Sequence, residues 1–203
     1  MIIESKERGE RMKEIVRDYE FDSTVKQTIM LDKDTLKLVK MVDNAVGKKE
    51  YRTFMTHMYY NCEDMLLIGT DGRRMHMLDT SNNGNFIPVK QSGYADIVGT
   101  SLVIYVEQRF DTIHYKRVIP KTKIITDKSY DFTDRKKFNV YVGEFYNDIH
   151  KNVNLGFLQD LIGLEYNLGI QTDDNNYPNR ERAFTLTGNN GRFTGILMPL
   201  VEN

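Results

Sequence analysis

The chain has 203 residues, of which 40% are hydrophobic and 28% charged, with a formal net charge of −1. That is the composition of a globular protein with room for one large domain or two small ones, and it excludes a disordered chain and a surface basic all over. A lone cysteine, Cys62, excludes an internal disulfide and a thiolate zinc site, so reduced cytosol is the expected compartment.

Residues 4–20 pattern as a charged amphipathic helix, with Met12, Ile15, Val16 and Tyr19 on one stripe. Its charge is wrong for a signal peptide, and no apolar run approaches the ~18 residues of a membrane span, so a soluble cytoplasmic protein is expected. The polar stretch FDSTVKQ leads to a second helix over 33–46. Asp32 or Asp34 caps its start and Gly47 ends it in a left-handed conformation. Leu36, Val39, Val42 and Val46 are expected inward, and Lys33, Lys37 and Lys40 on another side.

Strand patterns follow at 51–61, 65–70 and 73–79, with turns at Glu63-Asp64 and Asp71-Gly72. Further strands are predicted at 85–90, 101–107, 111–118 and 137–145, with the basic run Arg135-Lys136-Lys137 in a loop. A short helix is predicted near 152–166 (Leu155, Leu158, Leu161 and Ile162 on one face), before two more strand-turn-strand units.

The stretches LLIGTDGRRMHML and FTLTGNNGRFTGILM share an order: strand, Gly-bearing turn, Arg, strand with methionine. They mark an internal duplication of a helix-plus-antiparallel-strands unit. The fold class is therefore α+β, with two helices on one face of antiparallel sheet. The expected organisation is a helix and linker over 1–26 and one domain over 27–203, with halves of roughly 27–120 and 130–203.

Three motifs in this order resemble the bacterial sliding clamp, the beta subunit of DNA polymerase III. They are Thr70-Asp71-Gly72-Arg73-Arg74-Met75, Lys116-Arg117-Val118-Ile119-Pro120, and the closing Ile196-Leu197-Met198-Pro199. The family has Thr-Asp-Gly-His-Arg-Leu, Arg-Arg-Val-Leu-Pro and Met-Pro in the same order. Its His is Arg73 here, its Leu is Met75, and the proline usual before the second motif is Ile113. A clamp chain has three domains, whereas this length suits one enlarged domain that is monomeric or dimeric.

The resemblance implies a DNA-clamp-like fold and a non-catalytic processivity factor for replication. It also implies a pocket for hydrophobic peptides of replication proteins, carried over to Thr70, Gly72, Arg74, Met75, Arg117, Val118, Ile196 and Met198. Duplex DNA would meet Lys33, Lys37 and Lys40 on the inward helix. The plainer readings are solvated hairpin arginines, core methionines and a solvated lysine face. A second helix at 152–168 without lysine or arginine, and with Asp160 and Glu165, would leave half of a DNA-facing surface missing; the alternative is a protein-interaction module with the clamp fold that does not bind DNA.

Catalytic constellations are not evident. His57, His76, His114 and His150 lack metal-ligand spacing, although His57 and His76 are candidates to face each other across strands. Asp173-Asp174 and Glu63-Asp64 sit in turns, Cys62 has no basic partner at obvious spacing, and the glycines fit no phosphate-binding fingerprint. No cofactor or metal is expected.

Overall fold

The computed structural model describes residues 25–47, 53–106, 115–120, 122–149, 153–171 and 183–199. The amphipathic segment 4–20, His114, His150 and Asp173-Asp174 lie outside them. In chain order the elements begin with β1 (Val25–Met30), α1 (Lys33–Asp43), α2 (Thr53–Thr56), β2 (Met58–Asn61), β3 (Leu66–Thr70) and β4 (Arg74–Asp79). They continue with β5 (Gly93–Val98), β6 (Ser101–Val106), a 3-10 turn at Tyr115–Arg117, β7 (Thr122–Asp131) and α3 (Arg135–Ile149). Last come α4 (Leu155–Gln159), β8 (Glu165–Gln171), β9 (Phe184–Gly188) and β10 (Phe193–Leu197).

All ten strands join one antiparallel sheet in the order β1-β6-β5-β2-β3-β4-β10-β9-β8-β7. Two β-α-β-β-β runs build it, β1 to β4 and β7 to β10, each ending in a three-strand meander. The meanders meet where β4 pairs with β10, with His76 opposite Gly195. Counting outward from that pair, Gly72 matches Gly191, Arg73 matches Arg192, and Arg74 matches Phe193, so the two sequence stretches occupy equivalent places. The halves differ in one respect. In the second, β7 pairs directly with β8, whereas the hairpin β5-β6 separates β1 from β2 in the first.

Both longer helices pack on the same face of the sheet. Leu38, Val39, Met41 and Val42 of α1 and Phe138, Phe145 and Ile149 of α3 share one buried cluster with Met58, Tyr60, Leu67, Leu78, Leu186 and Phe193. The fold class expected from the duplication is therefore present, with a different second helix. Tyr59, Ile68, Met75, Met77 and Ile196 point the other way and form a separate cluster with Tyr115 and Ala183. Every buried methionine among the described residues lies in the first half, whereas the second half is filled by rings. There Phe132 meets Phe138, Phe145 and Tyr166 at 5.0–6.4 Å between centroids.

Several sequence expectations need correction. The segment 137–145 is not a strand but the middle of α3. Val140, Tyr141 and Val142 favour β structure, yet Phe138, Phe145 and Ile149 are buried at helical spacing. Asp134 starts that helix, accepting from the amides of Lys136 (2.8 Å) and Lys137 (2.9 Å). Arg135-Lys136-Lys137 is thus a first helical turn and not a loop. The helix expected near 152–166 shrinks to α4, five residues long.

Residues 85–90 are turns that bury Phe86 and Val89, and 115–117 is a 3-10 turn in place of a strand end. In the 51–61 segment α2 takes the place of early strand, while β1, β5 and β7 were not anticipated; β1 and β7 begin at 25 and 122, ahead of the expected boundaries.

Asp32 does cap α1, through bonds from the amides of Asp34 (3.0 Å) and Thr35 (2.8 Å) and from the Thr35 hydroxyl (2.7 Å). Those bonds hold its carboxyl below the usual range. Gly47 does not end the helix: Asn44 is the C-cap in a right-handed conformation, and the Gly47 amide donates to the Met55 carbonyl at 2.7 Å. Leu36 is only half-buried, and the buried face is Thr35, Leu38, Val39, Met41 and Val42.

Candidate binding surfaces at the β4-β10 junction

The β3-β4 turn is fixed by side chains of the motif itself. The Thr70 hydroxyl donates to the Arg74 carbonyl (2.7 Å) and accepts from the Gly72 amide (3.1 Å). Asp71 accepts from the amides of Arg73 (2.9 Å) and Arg74 (3.0 Å). Gly72 takes a φ of 83°, where a side chain is strained. These bonds explain Thr-Asp-Gly; the arginines have separate roles.

Arg73 is exposed, and its carbonyl accepts from the Met198 amide at 3.2 Å, extending the β4-β10 ladder by one residue. Arg74 turns to the helix face, where its side chain is 10% exposed. Its guanidinium donates to Asp71 (3.1 Å), to the Asn44 carbonyl at the end of α1 (2.6 Å) and to Asp160 at the end of α4. It also sits over the Phe157 ring at 4.4 Å. Arg74, expected among the residues of a peptide pocket, therefore ties the first half to the second.

The strand alternation sorts the other candidates. Thr70, Met75 and Ile196 lie on the helix-free face, all buried, and Met198 follows them at 48% exposure. Tyr115 packs in the same cluster as Met75 and Ile196. Its hydroxyl donates to Asp64, which also takes Lys116 at 2.7 Å. The bonds from Lys116 and Tyr115 hold the Asp64 carboxyl low, while burial and that carboxylate push the Tyr115 hydroxyl up.

Asp64 lies at the far end of β3 from Thr70, and these bonds tie the Tyr115-Lys116 turn to that end. Arg117 and Val118 are exposed, Val118 at 58%. The structure thus brings Thr70, Met75, Ile196 and Met198 together around one turn on the face that Tyr115 also covers, and removes Arg74 from it.

Lys33, Lys37 and Lys40 are all exposed, and Lys37 also donates to the Gly163 carbonyl at 2.8 Å. The exposed Arg135 and Lys136 at the start of α3 were not among the expected DNA contacts, because the helix itself was misplaced. A second helix lacking cations is therefore corrected.

On the helix face lies a row, Gly69-His76-Gly195, across β3, β4 and β10. A Cβ on Gly69 would stand 2.2 Å from the Val42 carbonyl oxygen, and one on Gly195 3.0 Å from Leu161. The glycines let α1 and Leu161 press onto the sheet on either side of the imidazole. His76 donates from Nδ1 to the Met41 carbonyl (2.6 Å), and Nε2 has no partner among the described residues. Burial, helped by the Arg74 charge, lowers its pKa to about 4.

His57 does not face His76. It lies on the opposite sheet face, 2.9 Å from Asp96. Among the described residues no group of three or more His, Cys, Asp or Glu side chains could hold a metal ion, and no helix is long and apolar enough to cross a membrane.

No protein-family model and no curated protein matches this sequence. Solved structures do match. The DNA polymerase III beta chain of Streptococcus pneumoniae superposes with a TM-score of 0.51 at 11% identity, over 92% of this chain and 67% of its own. The Helicobacter pylori beta clamp, in complex with 3,4-difluorobenzamide, gives 0.50 at 10% identity over 90% and 67%. The same clamp bound to a DNA ligase peptide gives 0.49 at 11% identity over 89% and 66%. The matches span about two thirds of each clamp chain. This chain has the fold of the bacterial DNA polymerase III beta sliding clamp.

Proposed function

We propose that this protein is a non-catalytic, sliding-clamp-like accessory of DNA replication that receives a hydrophobic peptide from its partners on the helix-free face of the sheet. The observation that carries this reading is the group Thr70, Met75, Ile196 and exposed Met198, gathered on one face beside a turn locked by its own side chains. An apolar floor beside a fixed turn, with backbone close by, suits an extended peptide. Tyr115 packs in the cluster beneath that surface, and the exposed Arg117 and Val118 follow it in the chain.

The test is a fluorescence-anisotropy titration with a labelled peptide carrying adjacent leucine and phenylalanine. Met198→Glu should weaken binding at least tenfold, about 1.4 kcal/mol, with the far-UV circular dichroism unchanged. Equal affinity for the variant and the parent rejects the surface.

Duplex DNA is the second ligand of this reading, held loosely by Lys33, Lys40, Arg135 and Lys136 on the two helices. The alternative, an interaction module that does not bind DNA, draws support from the commitment of Lys37 to Gly163 and from the exposed stretch Asn139, Val140, Gly143, Glu144 and Asn147 on α3, which carries no cation. Duplex titrations at about 50 and 200 mM salt separate them, since phosphate contacts give an affinity that falls steeply with salt.

A further inference from the structure

The two outer strands of the sheet are unlike one another. At one edge, β7 pairs with β8 through a register shift between Ile124 and Ser129, an irregularity that blunts an edge against further pairing. At the other, β1 runs in unbroken register with β6 from Val25↔Val106 to Met30↔Ser101. It contains no proline and a single charge, Lys26. Its outer side pairs with no strand among the described residues.

The hydrogen-bond phase of β1 follows from one bond. The Leu31 amide donates to the Thr100 carbonyl at 3.1 Å, and 31 and 100 continue the β1-β6 register. In an antiparallel pair the bonded positions alternate, so Ile29, Gln27 and Val25 spend their backbone groups on β6. Lys26, Thr28 and Met30 aim theirs outward. The side chains of these three are exposed on the helix-free face, Met30 at 65%. Met30 is continued inward by Ser101 and by Val98, 55% exposed, as a row on the same face.

We propose that β1 is a self-pairing edge, and that two copies of this chain join antiparallel through it about a twofold axis at Thr28. That centre sets Thr28 opposite Thr28 of the second copy and Lys26 opposite Met30 in both directions. Each of the three pairs then exchanges two backbone hydrogen bonds. A shift of two residues either way leaves fewer of the outward-facing positions paired, so the twofold register is the best matched. The alkyl stem of each lysine lies along the partner methionine, and no like charges oppose one another. Head-to-tail joining would instead set regular β1 against bulged β7, whose phases do not match along their length. The product is an isologous dimer with a continuous sheet, and it does not close a ring. This inference is independent of the peptide and DNA readings.

Because the contact is short, the dimer should be weak: sedimentation velocity on the full chain should show a monomer-dimer equilibrium across the micromolar range. Thr28→Lys places two ammonium groups against each other across the axis and should shift the chain to monomer, with an unchanged melting curve. In a Cys62→Ser background, Thr28→Cys should form a covalent dimer on mild oxidation. The ~5.5 Å Cα separation of a bonded pair fits a disulfide. Lys26→Cys, opposite Met30, should not crosslink. A parent chain that stays monomeric throughout, a dimer that Thr28→Lys leaves intact, or equal crosslinking at 26 and 28 overturns the proposal.

Discussion

Acidification should destabilise the fold through one imidazole. His76 is fully buried and its pKa is lowered from 6.5 to about 4, first by burial and then by the Arg74 charge, against the opposing bond to the Met41 carbonyl. The folded chain therefore holds His76 neutral where the unfolded chain protonates it. The stability that this neutral state represents is intact above about pH 6.5, falls as pH drops through the window, and is gone below about pH 4. The difference of 6.5 − 4 = 2.5 units, at about 1.36 kcal/mol per unit, gives roughly 3 kcal/mol.

Urea unfolding at steps between pH 7.5 and 4 would read this loss. The carboxylates held low, Asp32, Asp64 and Asp131, lose their contribution only below the ordinary aspartate value of 3.8, so the two windows separate. His76→Gln keeps a donor for Met41 without a titrating ring and should flatten the profile. An imidazole that titrates near 6.5 by NMR, or the same pH loss in the variant, would refute the argument.

Two further changes test the junction. Gly69→Ala should cost about 3 kcal/mol or more in urea unfolding, since its Cβ would stand 2.2 Å from a backbone carbonyl that cannot rotate away. Arg74→Met should cost about 2–3 kcal/mol, below the 3–5 typical of a fully buried pair because Asp160 is 33% exposed. Native-state hydrogen exchange should place the Arg74→Met effect at the ends of both α1 and α4, because the guanidinium joins the two halves there.

The β3-β4 hairpin and α1 are clear in the sequence, because each has a hydrophobic pattern with its own punctuation: Asp-Gly between two apolar runs, and Asp32 ahead of a 3.6-residue apolar stripe. It misplaced α3 because β-branched and aromatic residues with a central Gly143 outweighed the burial period and the Asp134 cap. The strand β5, GYADIV, hides its alternation behind a glycine and an aspartate that pairs with His57.

The candidate site was legible as a set of residues but not as a face. Strand parity sends Arg74 and Met75 to opposite sides of the sheet, and which side carries the helices depends on contacts distant in sequence. Asp160 and Phe157, the partners of Arg74, lie more than eighty residues away, beyond any local pattern.

The two halves repeat a topology in different materials. Met41, Met55, Met58, Met75 and Met77 are buried in the first, beside Tyr60 and Phe86, whereas Tyr130, Phe132, Phe138, Phe145, Tyr166 and Phe193 are buried in the second, which has no buried methionine among the described residues. Thioether chains repack across several rotors at small cost, whereas interlocked rings hold one arrangement. One half can thus conform to whatever settles on it while the other keeps its shape. Adaptability and rigidity are divided along the β4-β10 seam, within a single continuous sheet.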